Sequence, residues 1–368
     1  MALRDLLTDW LPPAVSRALA DRPPMATNFS DGSIATAIGA GSGSAQHSQL
    51  YASVGWLHAV VSRIATDVAQ TDWQAFRERN GEAEMVDPRQ MRNSALIQLW
   101  RRPNPYMTRA ELVEAVDQHM SLAGEIRLLL LRNTAGRVVE LWPIRPDRLT
   151  PVPSRTDFLK GFIYRIGSEK IPLEPNDVLS VLLPNPDTPY RGIGPVQSII
   201  PDLESEKLSS QWSRNFFRNS AQPGGIIELQ DTNLSDAEFE RFARRWQSQH
   251  GGTANAHRVA LLERGKWVDR KFSQREMQFT ELKKINRDII LGAFGFPQAL
   301  LGISDNINRA NAEAADVMYS SHVIRPRLVR IQSALNDKLA PMLGEDDGLV
   351  WRFVNPVPND RTLALQEA

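Results

Sequence analysis

Apolar residues recur at spacings of three and four along several stretches of the chain, as they do on one face of an α-helix. The first such series runs from Val54 to Val68. It predicts an amphipathic helix there, with folded structure beginning near Tyr51.

Later series of the same kind predict more helices. They cover Glu111–Leu122, residues 196–219, the stretch from Ser235 to Gly251-Gly252, Ser273 to Gly295, and Ala310 to Leu339. Two of these helices begin with a capping box, in which a hydroxyl residue precedes a glutamate by three positions: Thr108 with Glu111, and Ser235 with Glu238. Pro326 should kink or divide the last helix, because proline has no amide hydrogen and crowds the preceding turn.

Alternating apolar and polar residues predict short strands instead. In residues 125–190, the segments Arg127–Arg132 and Arg137–Trp142 flank Asn133-Thr-Ala-Gly136 and predict a hairpin. Frequent prolines in this region favour short strands with irregular loops. Other predicted strands are Asp72–Phe76 (followed by a hairpin at Asn80-Gly81), Gly161–Ile166, Val178–Leu183, Gly224–Leu229, His257–Leu262 and Gly348–Val354. Helices and strands together predict an α+β fold.

The first 49 residues have a different composition. Residues 1–22 contain the apolar series Leu3, Leu6, Leu7, Trp10 and Leu11, and residues 23–49 are rich in Ser, Gly, Ala and Thr. Such a composition predicts a flexible arm over residues 1–49. The arm is either a strap that docks on another subunit or a frayed terminus.

Composition then limits the classes of function. The 368 residues are 42% hydrophobic, enough for a large core, and they include no cysteine for a disulfide or a thiolate site. No apolar run approaches the roughly 20 residues of a membrane span, so we expect a soluble protein with no membrane partner. The charge is balanced, with 43 basic and 43 acidic residues, which disfavours a protein that grips nucleic acid tightly.

The sequence shows no candidate catalytic, cofactor or metal site. The six histidines are scattered without metal-ligand spacing, and Gly192-Ile-Gly194 lacks the third glycine of a dinucleotide-binding loop. The acidic run Glu345–Asp347 lacks the alternating ligands of a calcium loop. We therefore expect a structural protein and not an enzyme.

Seven segments, taken in order, carry a family resemblance. They are RRPNPYMTRAELVEAV (101–116), GRVVELWPIRPDRLTPV (136–152), RGIGPVQSI (191–199), FFRNSAQPGGIIE (216–228), LSDAEFERFARRWQSQHGGTANAHRVALLERG (234–265), QREMQFTELKKINRDIILGAFGFPQALLG (274–302) and NRANAEAADVMYSSHVIRPRLVRIQSALN (308–336). The chain resembles, over roughly Tyr51 to Asp360, the portal proteins of long-tailed, siphophage-type bacteriophages, which are head-to-tail connectors. It departs from the family at Glu125-Ile126-Arg127, where a small polar and aromatic run is common.

The resemblance implies a portal fold. After the flexible arm (1–49), the implied parts are a mixed α/β wing (50–195), a stem helix (196–221), a small α/β clip (222–272), a second stem helix (273–297), a tunnel loop (298–309), a long kinked helix (310–340), and a closing wing strand with a short tail (341–368). The C-terminal helical crown of many portals is expected to be absent or vestigial.

The resemblance also implies a function. Portal subunits form a ring, typically of twelve, around a channel at one capsid vertex of the virion, and double-stranded DNA passes through it during packaging and ejection without sequence-specific contacts. The implied partners are the terminase large subunit, which hydrolyses ATP, a head-tail adaptor, and the major capsid protein or scaffold, with assembly in the host cytoplasm. The alternatives are another minor head protein and a DNA-processing factor.

Candidate residues follow from this assignment. Polar residues of the tunnel loop would touch DNA weakly, unless the loop is buried against a neighbouring subunit; they are Ser304, Asp305, Asn306, Asn308 and Arg309. The stem candidates for the channel wall are Glu281, Lys283, Lys284 and Arg287. Several large apolar residues are expected in subunit packing, some within the subunit and some against its neighbour: Trp212, Phe216, Phe217, Phe279 and Phe294.

Overall fold

Two units divide the chain in the computed structural model. The first joins Met1–Ile200 to Ile290–Ala368, and the second is Pro201–Ile289. The structure describes residues 42–79, 82–87, 94–154, 156–218, 225–229, 235–250, 265–269, 275–302, 309–343 and 348–358. Helices and small antiparallel sheets are both present, which confirms the predicted α+β class.

Among the described residues, the N-terminal part of the first unit contains the helices α1 (Ser42–Ser53), α2 (Gly55–Gln70), α3 (Ala95–Arg101) and α4 (Arg109–Ala123). Helix α2 confirms the first predicted helix, since its predicted apolar face is fully buried. The capping box of α4 is also confirmed. The Thr108 hydroxyl accepts a hydrogen bond from the Glu111 backbone amide, and the Glu111 carboxylate accepts one from the Thr108 amide.

Helix α1 corrects the predicted extent of the N-terminal arm. The arm was expected over residues 1–49, but residues 42–49 are helical. His47 and Leu50 are buried, and α1 packs against α4. Packing therefore outweighs a composition that by itself favours flexible chain. Residues 1–41 lie outside the described part.

Three antiparallel sheets belong to the first unit. Their strands are β1 (Trp73–Arg79), β2 (Glu82–Val86), β3 (Glu125–Arg132), β4 (Val138–Pro143), β5 (Leu149–Pro153), β6 (Leu159–Ile166), β7 (Glu169–Leu173), β8 (Val178–Leu182) and β11 (Leu349–Phe353), the strands β9 and β10 lying in the second unit. The strand orders are β11-β1-β2, β4-β3-β8 and β5-β6-β7. The hairpin predicted around residues 133–136 is confirmed as β3 and β4, whereas the tip of the β1–β2 hairpin at 80–81 is outside the described residues.

Strands β5 and β7 were missed by the sequence analysis. Each carries proline, and each lies at an edge of its sheet, where a missing amide hydrogen breaks no ladder between central strands. Their inward side chains join the central β6 in one apolar cluster, which includes Leu149, Phe162 and Leu173. The prolines that kept these strands from being predicted are therefore compatible with edge positions in the sheet.

The C-terminal part of the first unit is helical almost throughout. It contains α9 (Arg309–Tyr319), a π-helical turn (Ser320–Ile324), α10 (Arg325–Ser333), a second π-helical segment (Ala334–Leu339) and α11 (Ala340–Leu343). The backbone stays helical on both sides of Pro326, so the helix is not divided there, and the π-helical turn that ends at Ile324 is of the kind at which long helices kink. Arg327 on α10 donates to both oxygens of the fully buried Asp117 on α4, at 2.9 and 3.0 Å. This pair fixes α10 against α4.

Three glycines come together where α4 ends. Gly124 ends the helix with a φ of 72°, and a side-chain carbon added to Gly192 would lie 2.0 Å from the Gly124 carbonyl oxygen. One added to Gly194 would lie 2.7 Å from the Gly124 amide nitrogen. Only glycine allows backbones to approach this closely. The requirement explains the glycines of the RGIGPVQSI segment physically.

The second unit contains two long helices and a small strand–helix–strand region. Its elements are α6 (Ile200–Arg218, with Ile200 in the first unit), β9 (Gly225–Leu229), α7 (Asp236–His250), β10 (Gly265–Asp269), and α8 (Arg275–Phe294), whose last turns belong to the first unit. Strands β9 and β10 pair antiparallel. The predicted strand His257–Leu262 lies outside the described residues, and β10 was not predicted.

The helix predicted over residues 196–219 is interrupted. A single turn, α5 (Pro195–Ser198), is separated from α6 by Ile199, whose φ of −117° and ψ of 16° are not helical. Pro201 lies in the first turn of α6, where its missing amide hydrogen breaks no helical bond. The structure describes α6 up to Arg218, so the ends predicted at 219 for the helix and at 221 for the stem segment are not tested.

We predict that Gly192→Ala destabilises the protein, because the new methyl group would overlap the Gly124 carbonyl. The free energy of unfolding should fall by about 1–3 kcal/mol or more, the usual range for overpacking. Thermal or urea unfolding measures the change. Gly55→Ala is the matched control, since nothing lies within 4 Å of the added carbon and its φ is not positive. Equal stability of the two variants would contradict the proposed role of the glycine contact.

Candidate functional site

The two long helices of the second unit meet through a buried polar contact. The Asn286 side chain on α8 donates to the Glu206 carboxylate on α6 at 3.4 Å, and both residues are buried. The Ser210 hydroxyl, one turn along α6, donates to the other oxygen of that carboxylate at 3.3 Å. Because a buried polar group needs its partners, this contact favours one register of α6 against α8.

Large apolar side chains remain exposed on the same two helices. On α6, Leu208 is 64% and Trp212 is 49% exposed, and on α8, Leu282 is 38% and Ile285 is 54% exposed. Leu208 and Trp212 are four residues apart, and Leu282 and Ile285 are three apart, so each pair lies on one helical face. Apolar surface concentrated in this way marks a contact surface for another molecule. We call these four residues the stem apolar surface.

The sequence analysis selected only part of this surface. Trp212 is exposed, as subunit packing requires, but Leu208, Leu282 and Ile285 were not selected, although their helical positions signalled them. Phe294 is 5% exposed and packed inside the chain, so it is one of the large apolar residues that pack within the subunit. The side chains of Phe216, Phe217 and Phe279 lie outside the described ones.

The four candidate channel residues on α8 differ in exposure. Glu281 and Lys284 are exposed, whereas Lys283 and Arg287 are partly covered. Arg287 donates from Nε to the Asp288 carboxylate at 2.8 Å. Over the whole of α8, four basic residues face three acidic ones, so the helix has a net charge of only +1 although Lys283 and Lys284 are adjacent.

Most of the predicted tunnel loop cannot be compared with the structure. Ser304, Asp305, Asn306 and Asn308 lie outside the described residues. The segment before them is a 3₁₀-helix (Gln298–Leu301) that ends at Gly302, with a φ of 68°. Arg309 was placed in the loop, and this is corrected, since it is the first residue of α9. Helix-forming alanines follow it closely, which favours an earlier helix start.

A buried ionic network in the first unit was not recognised from the sequence. Glu125 accepts hydrogen bonds from Arg127 Nε at 3.1 Å, Arg191 Nη1 at 3.2 Å and the Gly192 amide at 3.1 Å. Burial lowers the pKa of Arg127, and the adjacent Glu125 carboxylate opposes that effect. Alternating charges in a strand, as at Glu125-Ile126-Arg127, usually indicate an exposed face, so the pattern gave no signal of burial.

The described residues give no sign of a metal site or of a membrane-spanning helix. Among them, no group of three or more His, Asp or Glu side chains is arranged to hold a metal ion. No helix in the described part of the chain is long and apolar enough to cross a membrane. The features that remain are surfaces and buried contacts.

We predict that Asn286→Ala weakens the contact between α6 and α8. It removes a donor from a buried carboxylate, which should lower the free energy of unfolding by about 1–3 kcal/mol. Chemical denaturation measures the loss. Glu281→Ala on the same helix is the control, since an exposed position should change stability by no more than about 0.5 kcal/mol. If both variants had the same free energy of unfolding, the buried contact would not contribute to stability.

Comparison with known proteins gives consistent matches. The family model described as "Phage portal protein" matches residues 56–356. The portal protein of Enterobacteria phage HK97 is 20% identical over 307 residues, which cover 80% of this chain and 68% of that protein.

Solved structures agree over most of the length. A chain from the neck of an empty gene transfer agent particle, computed with C6 symmetry, is 26% identical with a TM-score of 0.67, covering 90% of this chain and 91% of the other. One from the neck of the native particle, computed with C12 symmetry, is 25% identical with a TM-score of 0.65, covering 89% and 87%. The family model spans far more than half of the sequence, and the chain therefore belongs to the phage portal protein family.

Proposed function

We propose that copies of this chain form a closed ring at one capsid vertex and that double-stranded DNA passes through its channel during packaging and ejection. The observation that carries this proposal is the stem apolar surface. It lies on the two helices that we assign to the stem, and a single copy leaves it exposed to water. Membership of the portal family, and relatives in particle necks of C6 and C12 symmetry, support the same arrangement.

The stem apolar surface would contribute to assembly. Complete burial of a fully exposed Leu or Ile side chain contributes roughly 1.5–3 kcal/mol, and these side chains, 38–64% exposed, would contribute about half as much each. Repeated around a ring, that contribution would offset part of the entropy that each subunit loses on association. A ring needs two different patches that meet head to tail, and the surface on α6 of one subunit facing that on α8 of the next would satisfy this requirement.

We also propose that the chain divides into wing, stem and clip. The first unit would supply the wing, α6 and α8 the stem, and the segment from β9 to β10 the clip. Helix α7 of that segment carries Phe239, which is 62% exposed, beside charged residues. An exposed aromatic group with a charged surround suits a protein partner, and we assign it to the head-tail adaptor or the terminase large subunit.

The charges of α8 support a channel that does not retain DNA. Each cation that contacts a phosphate strengthens binding through counterion release, and a ring multiplies every contact by the number of subunits. Glu281 beside Lys283 and Lys284 keeps this multiplied charge small. Ser304, Asp305, Asn306 and Asn308 would add brief polar contacts at the narrowest part of the channel. The proposed location is the portal vertex of the virion, where the capsid protein or scaffold would surround the ring.

We predict that Trp212→Asp prevents ring formation. A carboxylate in place of the indole would have to be buried without a partner in every interface, so the ring should dissociate into monomers. Mass photometry or analytical ultracentrifugation measures the assembly state. Gln211→Asp is the matched control, because it adds the same charge one residue away at an exposed position and should leave the ring intact. A ring that persisted in the Trp212 variant would place the subunit contact elsewhere.

We predict that Glu281→Lys makes the ring retain DNA. The change removes one acidic group and adds one cation per subunit, so binding of a labelled duplex should strengthen. Each added phosphate contact should steepen the slope of log K against log salt by about 0.9. Fluorescence anisotropy over a salt series measures both quantities. Glu84→Lys on β2 is the control outside the stem. If the two variants bound DNA equally, α8 would not face the channel.

A further inference from the structure

A cleft of about 670 Å³ lies in the first unit, apart from the two stem helices. Its walls come from the region of β5 and β6, from β8, from the loop before α5 and from the C-terminal helical segment. Most of the lining is apolar or aromatic, including Phe158, Leu159, Leu182, Tyr190 and Met342. Its size lies within the roughly 300–1,000 Å³ of typical ligand sites, so it can hold several large side chains of a docked segment.

The mouth of the cleft is aromatic and largely uncovered. Phe158 is 63% exposed, and its ring stacks on Tyr190 with 4.8 Å between centroids. An exposed Phe that is held by a neighbouring ring, and does not move freely, presents a preformed apolar platform. Covering it would remove its surface from water at little cost in side-chain entropy.

The charged groups at the floor and rim of the cleft favour one class of ligand. Arg127 lies at the floor, but its donors are used by Glu125, Ser180 and the Tyr190 carbonyl, so no free cation faces the cleft. At the rim, Lys338 donates to the Ser180 carbonyl at 2.7 Å, and Asp337 is exposed. A cleft that is apolar inside, with one charge of each sign at its edge, suits an amphipathic peptide and not a phosphate ligand.

The chain itself contains such a segment among the residues that the structure does not describe. From Leu3 to Leu11, apolar positions recur at the spacing of one helical face, acidic and basic positions lie among them, and Pro12-Pro13 ends the series. Amphipathic peptides with this pattern bind in grooves through anchors three and four residues apart. The anchors would be Leu3, Leu6, Leu7, Trp10 and Leu11.

The connection to the cleft is long enough. Twenty-six residues separate Val15 from Ser42, the start of α1, and when extended they reach up to roughly 90 Å. Helix α1 contacts the Pro146–Arg148 turn, and the Pro146 carbonyl accepts a hydrogen bond from Arg191. Because Arg191 and the cleft-floor Arg127 share Glu125, α1 and the cleft belong to one continuous part of the first unit. A tethered segment there reaches an effective concentration on the order of millimolar.

We propose that residues 3–15 dock in this cleft of the same chain and cover the Phe158–Tyr190 platform. The N-terminal segment would thereby become part of the first unit. The docking does not depend on the proposed ring, so its failure and the failure of ring formation can be told apart.

A cysteine pair tests the proposal in the full chain, which has no cysteine of its own. Leu7→Cys is combined with Met342→Cys in the cleft wall, and a short bismaleimide is added at micromolar protein. Docking predicts a crosslink within one chain, formed faster than any crosslink between chains by at least about a hundredfold, because of the tether. Denaturing electrophoresis separates the two products. The control pair is Leu7→Cys with Val139→Cys, an exposed position on β4 that does not line the cleft.

A second comparison distinguishes docking from random encounter. Trp10→Asp, added to the Leu7 and Met342 pair, should reduce the crosslink to the level of the control pair. Thr8→Asp adds the same charge outside the apolar series and should leave the yield unchanged. The proposal is overturned if the Met342 pair reacts no faster than the Val139 pair, or if the product is mainly a crosslink between chains, which would mean that a neighbouring copy supplies the segment.

Discussion

One carboxylate held between two arginines organises the first unit. Glu125 binds Arg127 and Arg191, while Arg127 also reaches Ser180 on β8 and the Tyr190 carbonyl. Removing ions from water costs several kilocalories per mole each, and complete hydrogen bonding is what offsets that cost. Arg127 forms a hydrogen bond through each of its three nitrogens, whereas Arg191 Nε and Nη2 are buried without a partner. The network links β3, β8 and the following loop, and it favours their arrangement over any that would leave Glu125 or Arg127 unpaired.

Close backbone contacts between glycines support the same arrangement as the ionic network. Gly192 follows Arg191 directly, and its amide donates to Glu125 while its Cα approaches the Gly124 carbonyl. The chain is thus fixed on both sides just before Pro195. At the outer edge of β11, a side chain forms the hydrogen bonds that a neighbouring strand would otherwise form. Asn336 donates to the Trp351 carbonyl and accepts from the Trp351 amide, and the C-terminal helical segment covers this edge.

The sequence predicted the features that depend on local physics. Helix α2 has a regular apolar series, α4 has a complete capping box, and the 133–136 turn separates two alternating segments, so each was found. Features that depend on distant partners were not. Helix α1 is folded by packing on α4, and the Glu125 network pairs residues more than sixty positions apart in the chain. Among the site residues, Trp212 was recognised by type, but exposure in the fold was needed to find Ile285 and to show that Phe294 packs within the subunit.

The two units are stabilised in opposite ways, and this bears on assembly. The first unit buries its charges in paired networks around a large apolar core. In the described part of the second unit, the buried side chains are Leu203, Glu206, Ser209 and Asn286, of which one is apolar. Among the described residues, this amount of buried apolar surface is small beside the entropy of ordering two long helices. In the ring that we propose, the stem apolar surface would add burial against a neighbouring copy, so folding of this region and closure of the ring would be coupled. Such a channel would be stabilised between its subunits and not by the DNA inside it, and its nearly balanced charges would leave the DNA free to move.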